Sequence, residues 1–359
     1  MIIMKPGRNQ IIYRSVLLLA LILLIQSCSI FQKNDKVTEF YYYDNNQKIF
    51  PKNITVISRL ADDKLAIASP DDLFIIDNGN LLAQYRISNV TSVVEYKGEF
   101  YIGTINGLFK GKDNNQIVNI EIPALTTKPK ISSILNVDDQ MWIGTEGVGI
   151  YKYDGSIMKP VPSTPVINCL AQTSDKSIWA GSNSGLFRFF QDGSSVRYSE
   201  EIPHEGIAIL DNDVRHLQID SHSNLWVFMT NAVSIFTPDQ FVTKSSDHVD
   251  PLTFDYIGDD KNSMIKVYDF KDRKDKLVLS EKGLYILSDL DVTDSHNHEE
   301  SSDQKTVGNM KKLEYLKLED GSVISIERAL DCSFDHNFNL LISTMTGVYK
   351  IPNSIIKKL

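Results

Sequence analysis

Cysteine and tryptophan are what this 359-residue chain has least of, with three of each, and positive charge falls short of negative. Lysine and arginine number 37 against 46 aspartate and glutamate, a net charge of −9. An acidic balance of this kind leaves no electrostatic basis for binding nucleic acid or anionic lipid. Sequence-local catalytic signatures are missing too: there is no P-loop, no G-x-S-x-G and no Cys/His zinc spacing. Nothing from 50 to 359 sustains an apolar period of 3.6 residues long enough for a helix. The one long apolar run, Val16 to Ile25, has ten residues, half of the roughly 20 that a membrane-spanning helix needs.

That run lies in MIIMKPGRNQIIYRSVLLLALILLIQSCSI. Lys5, Arg8 and Arg14 precede it, the arrangement of a secretory signal peptide. Its end, IQSC, resembles the bacterial lipobox, with small Ser27 before Cys28 and branched Ile25 two residues earlier. The resemblance implies cleavage before Cys28, diacylglycerol on the Cys28 sulfur and an acylated new N-terminus, a palmitate-type anchor. More than one acyl chain is what stable anchoring takes. Residues 1–27 are therefore expected to be signal peptide and 28–37 a polar tether. Loss of 1–27 would remove three cations and move the net charge from −9 to −12. Ser29 after the cysteine, in place of aspartate, favours the outer membrane; the periplasmic and surface sides stay equal alternatives. No second hydrophobic span and no kinase or DNA-binding module is legible downstream.

The remainder repeats. An apolar pair, a small residue, a polar turn and a glycine before two apolar residues recur as FYIGTINGLF (100–109), MWIGTEGVGIY (141–151) and IWAGSNSGLF (178–187). Weaker copies are LAIASPDDLFII (65–76), LWVFMTNAVSIF (225–236), LVLSEKGLYI (277–286) and LLISTMTGVYKI (340–351). Ahead of each stands a second apolar block and a polar turn, as in VTSVVEYKGE and VINCLAQTSDKS. Ala68, Gly103, Gly144, Gly181, Phe228, Ser280 and Ser343 are taken as equivalent. Short blocks rich in Val, Ile, Tyr, Phe and Trp, bounded by Gly, Asp, Asn and Ser, are strands. Each unit supplies three, and a fourth follows in NQIVNIEI (115–122) and SSVRYSE (194–200). Four-stranded units repeated around an axis make a β-propeller, and seven lies within the usual number of blades. The expectation is an all-β chain: a single seven-bladed propeller over 38–359, its blades mostly four-stranded and antiparallel. A long polar insertion at about 288–310, placed between the sixth and seventh copies, interrupts it. Phe40–Tyr43 is expected to supply the outer strand of the last blade, closing the ring and removing exposed sheet edges.

These repeats resemble the two-component-regulator propeller family, whose pattern runs V-x-x-I-x-x-D-x-x-G-x-L-W-I-G-T-x-x-G-L-x-x-Y. FRFFQDGSSVRYSEEIPHEGIAILDNDVRHLQID (187–220) follows that family's order into the next blade. The resemblance is strong in repeats two to five and partial elsewhere. It implies a periplasmic ligand-binding sensor-type propeller. The family's usual second ring, following domain and kinase have no counterpart in these residues, which favours a stand-alone binding or scaffold lipoprotein, monomeric or part of an envelope complex. Its ligand class stays open among glycan, small molecule and protein.

The residues that look chemical have structural explanations. Trp142, Trp179 and Trp226 share one repeat position, which Val278 and Leu341 fill elsewhere, so they read as packing between blades. Asp138, Asp139, Asp175 and Asp220 sit in tight turns whose backbone they cap. Cys169 and Cys332 lie in distant repeats and read as two buried thiols. His296, His298, Glu299 and Glu300 form HNHEE within the insertion, a composition that cannot bury a core; no metal site or cofactor is assigned there. His204 and His216 are read into the long connection between blades four and five. Binding residues concentrate on loops held by a rigid scaffold. The candidate recognition face therefore comprises Asn106, Glu146, Asn183 and Asn231 from the turns between second and third strands. Asp211, Asn212, Asp213 and Arg215 join it from the connection between blades. The functional expectation is a non-enzymatic ligand- or protein-binding scaffold with no catalytic residue. The alternative is a propeller enzyme, such as a streptogramin-type lyase, with its site at one mouth of the channel.

Overall fold

The computed structural model describes residues 36–111, 115–123, 127–162, 164–200, 209–242, 251–255, 264–270, 274–280, 282–290, 309–317, 321–326, 328–335 and 337–356. The signal peptide, Cys28, most of the tether, His204, HNHEE and most of the insertion lie outside them.

Seven blade sheets follow one another along the chain, six of four strands and one of six, antiparallel but for one parallel pair in the six-stranded sheet. A separate two-stranded hairpin, Tyr315–Lys317 with Val323–Ser325, stands between blades six and seven. Blade four shows the plan: Ile167–Gln172, Ile178–Ser182, Gly185–Phe189 and Ser195–Tyr198 run up and down, each pairing with the next. The inner strands of blades one to seven are Val56–Arg59, Val90–Tyr96, Ile131–Val137, Ile167–Gln172, Val214–Ile219, Met264–Asp269 and Asp331–Phe334. Adjacent inner strands touch around the ring. Because the strands alternate in direction, turns between second and third strands share one face with the connections between blades; we call it the upper face. Turns between first and second, and between third and fourth, strands occupy the lower face. The fourth strands expected within 115–122 and 194–200 are Ile117–Ile120 and Ser195–Tyr198. Apart from two short 3-10 turns, the one described helix is Asn353–Ile356, and no described helix is long and apolar enough to cross a membrane.

The motif glycines are close-approach positions. A Cβ on Gly103 would stand 2.7 Å from Ile131 Cγ2, and one on Gly144 would stand 2.8 Å from Ile167 Cγ2. Ile131 and Ile167 each open the inner strand of the following blade, so the glycine is where two blades press together. The repeat register needs one correction. Ser280 pairs with Gly283 as Thr104 pairs with Gly107. Leu279, not Ser280, therefore occupies the glycine position of blade six, and Leu277, not Val278, occupies its tryptophan position. The glycine that starts the third strand sets the register, and the smallness of serine misleads. The insertion is also re-placed: Gly283–Ser288 is followed by Asn309–Leu313 as the fourth strand of the same sheet. It thus interrupts blade six instead of separating blades six and seven.

Closure occurs with a shift. Thr38–Glu39, and not Phe40–Tyr43, pairs with Val348–Ile351 as the outer strand of blade seven, with Thr38 opposite Lys350 and Glu39 opposite Tyr349. Val37, at the expected end of the tether, is buried against a core that includes Ile351 and Ile356. Tyr42–Asp44 instead forms a hairpin with Gln47–Ile49 and adds two strands to the edge of blade one. Tyr42 points into the core between blades seven and one, a commitment that three consecutive tyrosines do not reveal. Deleting residues 36–39 removes both the outer strand and the Val37 contact, and the midpoint of thermal unfolding should fall sharply. A melting curve unchanged from the intact chain would show that the ring holds without its terminal strand.

Candidate functional site

The upper face is built on hydroxyl-closed turns. Thr104 Oγ1 donates to Gly107 O, Thr145 Oγ1 to Gly149 O, Ser182 Oγ to Gly185 O and Thr344 Oγ1 to Gly347 O. The threonine or serine after the motif glycine thus ties each turn to the third strand. Blade five departs from this rule, with Met229 at that position.

The eight candidate residues divide. Asn106 and Glu146 lie on the turns of blades two and three. Asn106 offers its backbone N–H to Thr104 Oγ1, and Glu146 pairs with Lys130 at 2.6 Å on an exposed rim. The other six gather at the junction of blades four and five. Asp211 accepts from Asn231 Nδ2 at 2.8 Å, and its other carboxylate oxygen accepts from the Asp213 N–H at 2.9 Å. Asp213 Oδ2 accepts from Thr230 Oγ1 at 2.6 Å and from Arg215 Nε at 3.0 Å. Asn212 holds the turn of blade four, its carbonyl accepting from the Gly185 N–H at 2.8 Å. Asn183 stands exposed on that same turn, bonded to Ser184 Oγ. Arg215 and His216 are in the inner strand Val214–Ile219, not in the connection before it. The apolar run of that strand is short in sequence, so its start cannot be told from the preceding loop.

Arg215 sits at a recurrent irregularity. In blades two to six the second residue of the inner strand, Thr91, Ser132, Asn168, Arg215 or Ile265, is an extra residue that shifts the ladder register. Such bulges re-aim a side chain. Thr91 Oγ1 reaches Ile131 O at 2.6 Å, and Asn168 Nδ2 reaches Val214 O at 2.9 Å, both on the following blade.

Next to Arg215, His216 is pushed down to about 4, first by burial and then by the Lys266 and Arg215 charges. Lys266 on the next inner strand bonds Asp331 Oδ1 of blade seven at 2.5 Å. Two ion pairs, Asp213–Arg215 and Lys266–Asp331, thus flank the neutral His216 across blades five to seven. Sequence reading missed Lys266, Asp331 and Thr230, because their partners come from other blades at irregular spacing. The two buried thiols carry no reactive signature: burial raises Cys169, and raises Cys332 to about 12.

The lower face carries buried charge with a structural purpose. Asp220 accepts from the His222 and Asn224 N–H groups, from Asn224 Nδ2 and from Trp226 Nε1 at 3.1 Å. Burial alone would raise its pKa, but these donors and Lys276 together hold it below the usual carboxylate range. Asp220, His222 and Asp269 place ligand atoms within 4.8 Å of one another, the one such grouping among the described residues. Lys276 Nζ already occupies that space, 3.1 Å from Asp220 Oδ2 and bonded to Asp269 Oδ1. An ammonium there does what a metal ion would do. In blade four, fully buried Arg188 pairs with Asp175 at 2.8 Å and bonds the Phe241 carbonyl, which follows the third strand of blade five. Trp179 Nε1 bonds Thr173 Oγ1 at 2.9 Å while its ring stacks on Tyr198 at 5.4 Å. The three tryptophans are buried packing groups, and Asp175 and Asp220 cap their turns.

No family model matches the chain, and no curated protein sequence matches it. Solved structures do. The extracellular domain of the hybrid two-component system BT3049 from B. thetaiotaomicron aligns with a TM-score of 0.61 at 14% identity, over 90% of this chain and 42% of that one. PorZ, described as an essential bacterial surface component of the type-IX secretion system of Porphyromonas gingivalis, gives 0.58 at 16% identity over 86% and 48%. Virginiamycin B lyase from Staphylococcus aureus gives 0.56 at 14% identity, over 88% of this chain and 98% of the lyase. The chain spans 40–42% of the length of the two-component-system domains it matches. At these identities the similarity establishes the propeller fold, and sensors and lyases share it.

Two outcomes follow from the charges. Lys276→Met leaves Asp220 and Asp269 facing each other without the ammonium. Removing one partner of a buried pair costs about 3–5 kcal/mol, which urea unfolding at neutral pH should register. His216, neutral in the folded ring, binds a proton more readily once unfolded, near the ordinary value of about 6.5. Its contribution is therefore complete above that pH and is lost as pH falls toward about 4. His216→Asn should flatten the decline of the urea midpoint between pH 7 and 5; an unchanged slope would assign the decline to other groups.

Proposed function

We propose that this chain is a lipid-anchored, extracytoplasmic propeller that binds a ligand on its upper face and does not transform it. The observation that carries this reading is the convergence of Asp211, Asp213, Thr230, Asn231 and Arg215 at the junction of blades four and five. Asp213 and Arg215 are each about two-fifths exposed there, and hydrogen bonds among the five hold them to one another. A preorganised cluster of carboxylates, an amide, a hydroxyl and a guanidinium suits a polyhydroxylated ligand such as a glycan, or a protein surface of complementary polarity. A catalyst needs a group poised to exchange protons near neutral pH; the one histidine nearby is held neutral and embedded between two cations. The sensor-domain neighbours support a binding role in kind. The anchor at Cys28 is the reading that the lipobox resemblance supports, and it implies an outer-membrane location.

A propeller enzyme is the second reading, favoured by the His216, Lys266 and Asp331 neighbourhood at the channel and by the lyase neighbours. The two separate by mutation. Under the binding reading Asp213→Ala, Arg215→Ala and Asn183→Ala each weaken capture of glycans on an array or of envelope proteins by the immobilised chain, while His216→Asn leaves capture intact. Capture unaltered by all three alanine substitutions would mean that the face has been chosen wrongly.

A further inference from the structure

The third strands of four blades carry a cation at one register position. Lys110 stands opposite Tyr101, Lys152 opposite Trp142, Arg188 opposite Trp179 and Lys350 opposite Leu341. Three of these cations are neutralised within their own blade. Lys110 pairs with Glu99 at 2.5 Å, Arg188 with Asp175 at 2.8 Å and Lys350 with Asp335 at 2.9 Å. Lys152 is the exception. Among the described residues it has neither an ion pair nor a hydrogen bond, and its Nζ stands 4.3 Å over the Trp142 ring. The strand that precedes it shows why. Glu99 opens the second strand of blade two, two residues before Tyr101, and Gln140 opens that of blade three, two residues before Trp142. An amide of nearly the same shape thus stands where blade two has the carboxylate.

The surroundings supply no substitute. Trp142 packs with Leu170 and Ile178 of blade four, so Lys152, opposite it in the ladder, faces the same seam. Lys159 of the outer strand pairs directly with Lys152. Two like charges therefore share one face with Cβ atoms about 5 Å apart, an arrangement that costs stability. Among the described residues Lys159 has no ion pair either. The acids of blade three's lower turns are engaged elsewhere. The Asp154 carboxylate accepts from Ser156 and Ile157, and the Asp139 and Asp154 carbonyls accept from Tyr96 OH of blade two. Across the seam blade four presents Phe189, 5.7 Å from Trp142, and a further cation, Arg197, opposite Phe187. Burial lowers the pKa of Lys152 with no acid to oppose it. Ile157, 54% exposed, stands two residues before Lys159 and so on the same side of the outer strand.

We propose that Lys152 and Lys159, on the outer wall of the seam between blades three and four, seat an acidic segment of a protein partner. A carboxylate of that segment takes the part that Glu99, Asp175 and Asp335 play within the other blades. Charge selects the occupant, since two unpaired ammonium groups on a chain of net charge −9 favour an anion over any other group. Ile157 beside them offers an apolar contact that the side chains of a peptide use and a small free acid does not. Lys152 is the last residue but one of a strand that ends on the lower face. The seat is therefore apart from the upper-face cluster, and neither reading depends on the other.

The test follows the fluorescence anisotropy of a dye-labelled peptide of alternating aspartate and leucine as the purified chain is added at low salt. Binding should saturate, and Lys152→Met should weaken it about tenfold, the loss of one charge-assisted contact. Gln140→Glu supplies the carboxylate from within the blade. It should weaken the peptide to a similar degree while the midpoint of thermal unfolding stays level or rises, a combination that misfolding does not produce. Lys110→Met, at the same register position in blade two, should leave the affinity as it is. Absence of saturable binding overturns the proposal, and so does an affinity unchanged by Lys152→Met or by Gln140→Glu. Equal weakening by Lys110→Met assigns the attraction to surface charge in general, and the seat falls. Oligogalacturonate bound through Lys152 where the peptide is not assigns the lysines to an acidic glycan, and the protein partner falls.

Discussion

Each inner strand of the ring has one edge paired within its own sheet and one edge facing the channel and the next blade. Buried backbone groups left without partners are costly, and no strand ladder joins one blade to the next. Side chains bridge several of the junctions instead. Thr91 and Ser92 bond the backbone of Ile131 and Ile134, and Asn136 returns to Glu95 O. Asn168 reaches Val214, Gln218 bonds both backbone groups of Val267, and Tyr268 OH donates to Cys332 O. Asp331 closes the circle by accepting from the Ile57 N–H at 2.8 Å. Because the bridging residues differ from one of these junctions to the next, the ring is a repeat in its sheets and not in its seams.

The bulges serve this constraint. An extra residue near the top of the inner strand is the one that can leave the ladder and turn toward the neighbour. Where the residue is Thr91 or Asn168, it becomes a clasp. Where it is Arg215, it turns to Asp213 and so to the cluster on the upper face. The same device that holds blades together elsewhere thus supplies a charged group to the candidate site. The lower face solves a related problem differently: Asp175, Asp220 and Asp335 fold back into their turns, and buried Arg188, Lys276 and partly exposed Lys350 neutralise them from adjacent strands.

The sheets were legible in the sequence because their determinants are local. Short β-branched and aromatic blocks, a hydroxyl after a glycine and a second glycine three residues on give strand, turn and strand without any distant information. The seams were not legible. Lys266 and Asp331, or Arg188 and the Phe241 carbonyl, stand far apart in sequence with no fixed interval, so nothing in a linear pattern pairs them. The closing strand was legible in kind and missed in position. In EFYYYDNN the run Phe40–Tyr43 is the strand-favouring part, and only the burial of Val37 and Tyr42 decides which stretch meets blade seven. Of the candidate face, the six residues around blades four and five were brought together by the fold. Asn106 and Glu146 share their repeat position with Asn183 but not their neighbourhood.

That difference bears on where recognition belongs. A site built by the repeat would recur in each blade, yet the polar cluster occurs only where the repeat fails. Blade five has Phe228 in place of the motif glycine and Met229 in place of the turn hydroxyl, both fully buried. Its turn is held instead by Thr230 and Asn231 bonding backward to Asp213 and Asp211, residues of the connection that precedes the blade. Departure from a local rule with a compensating network is the pattern of functional sites. Were that network needed for stability alone, a threonine at position 229 would serve as it does in blades two and three, with fewer charged groups to hold. The substitution of a self-contained turn by one that displays two carboxylates and a guanidinium at the surface therefore supports the proposal that a ligand is met at this junction.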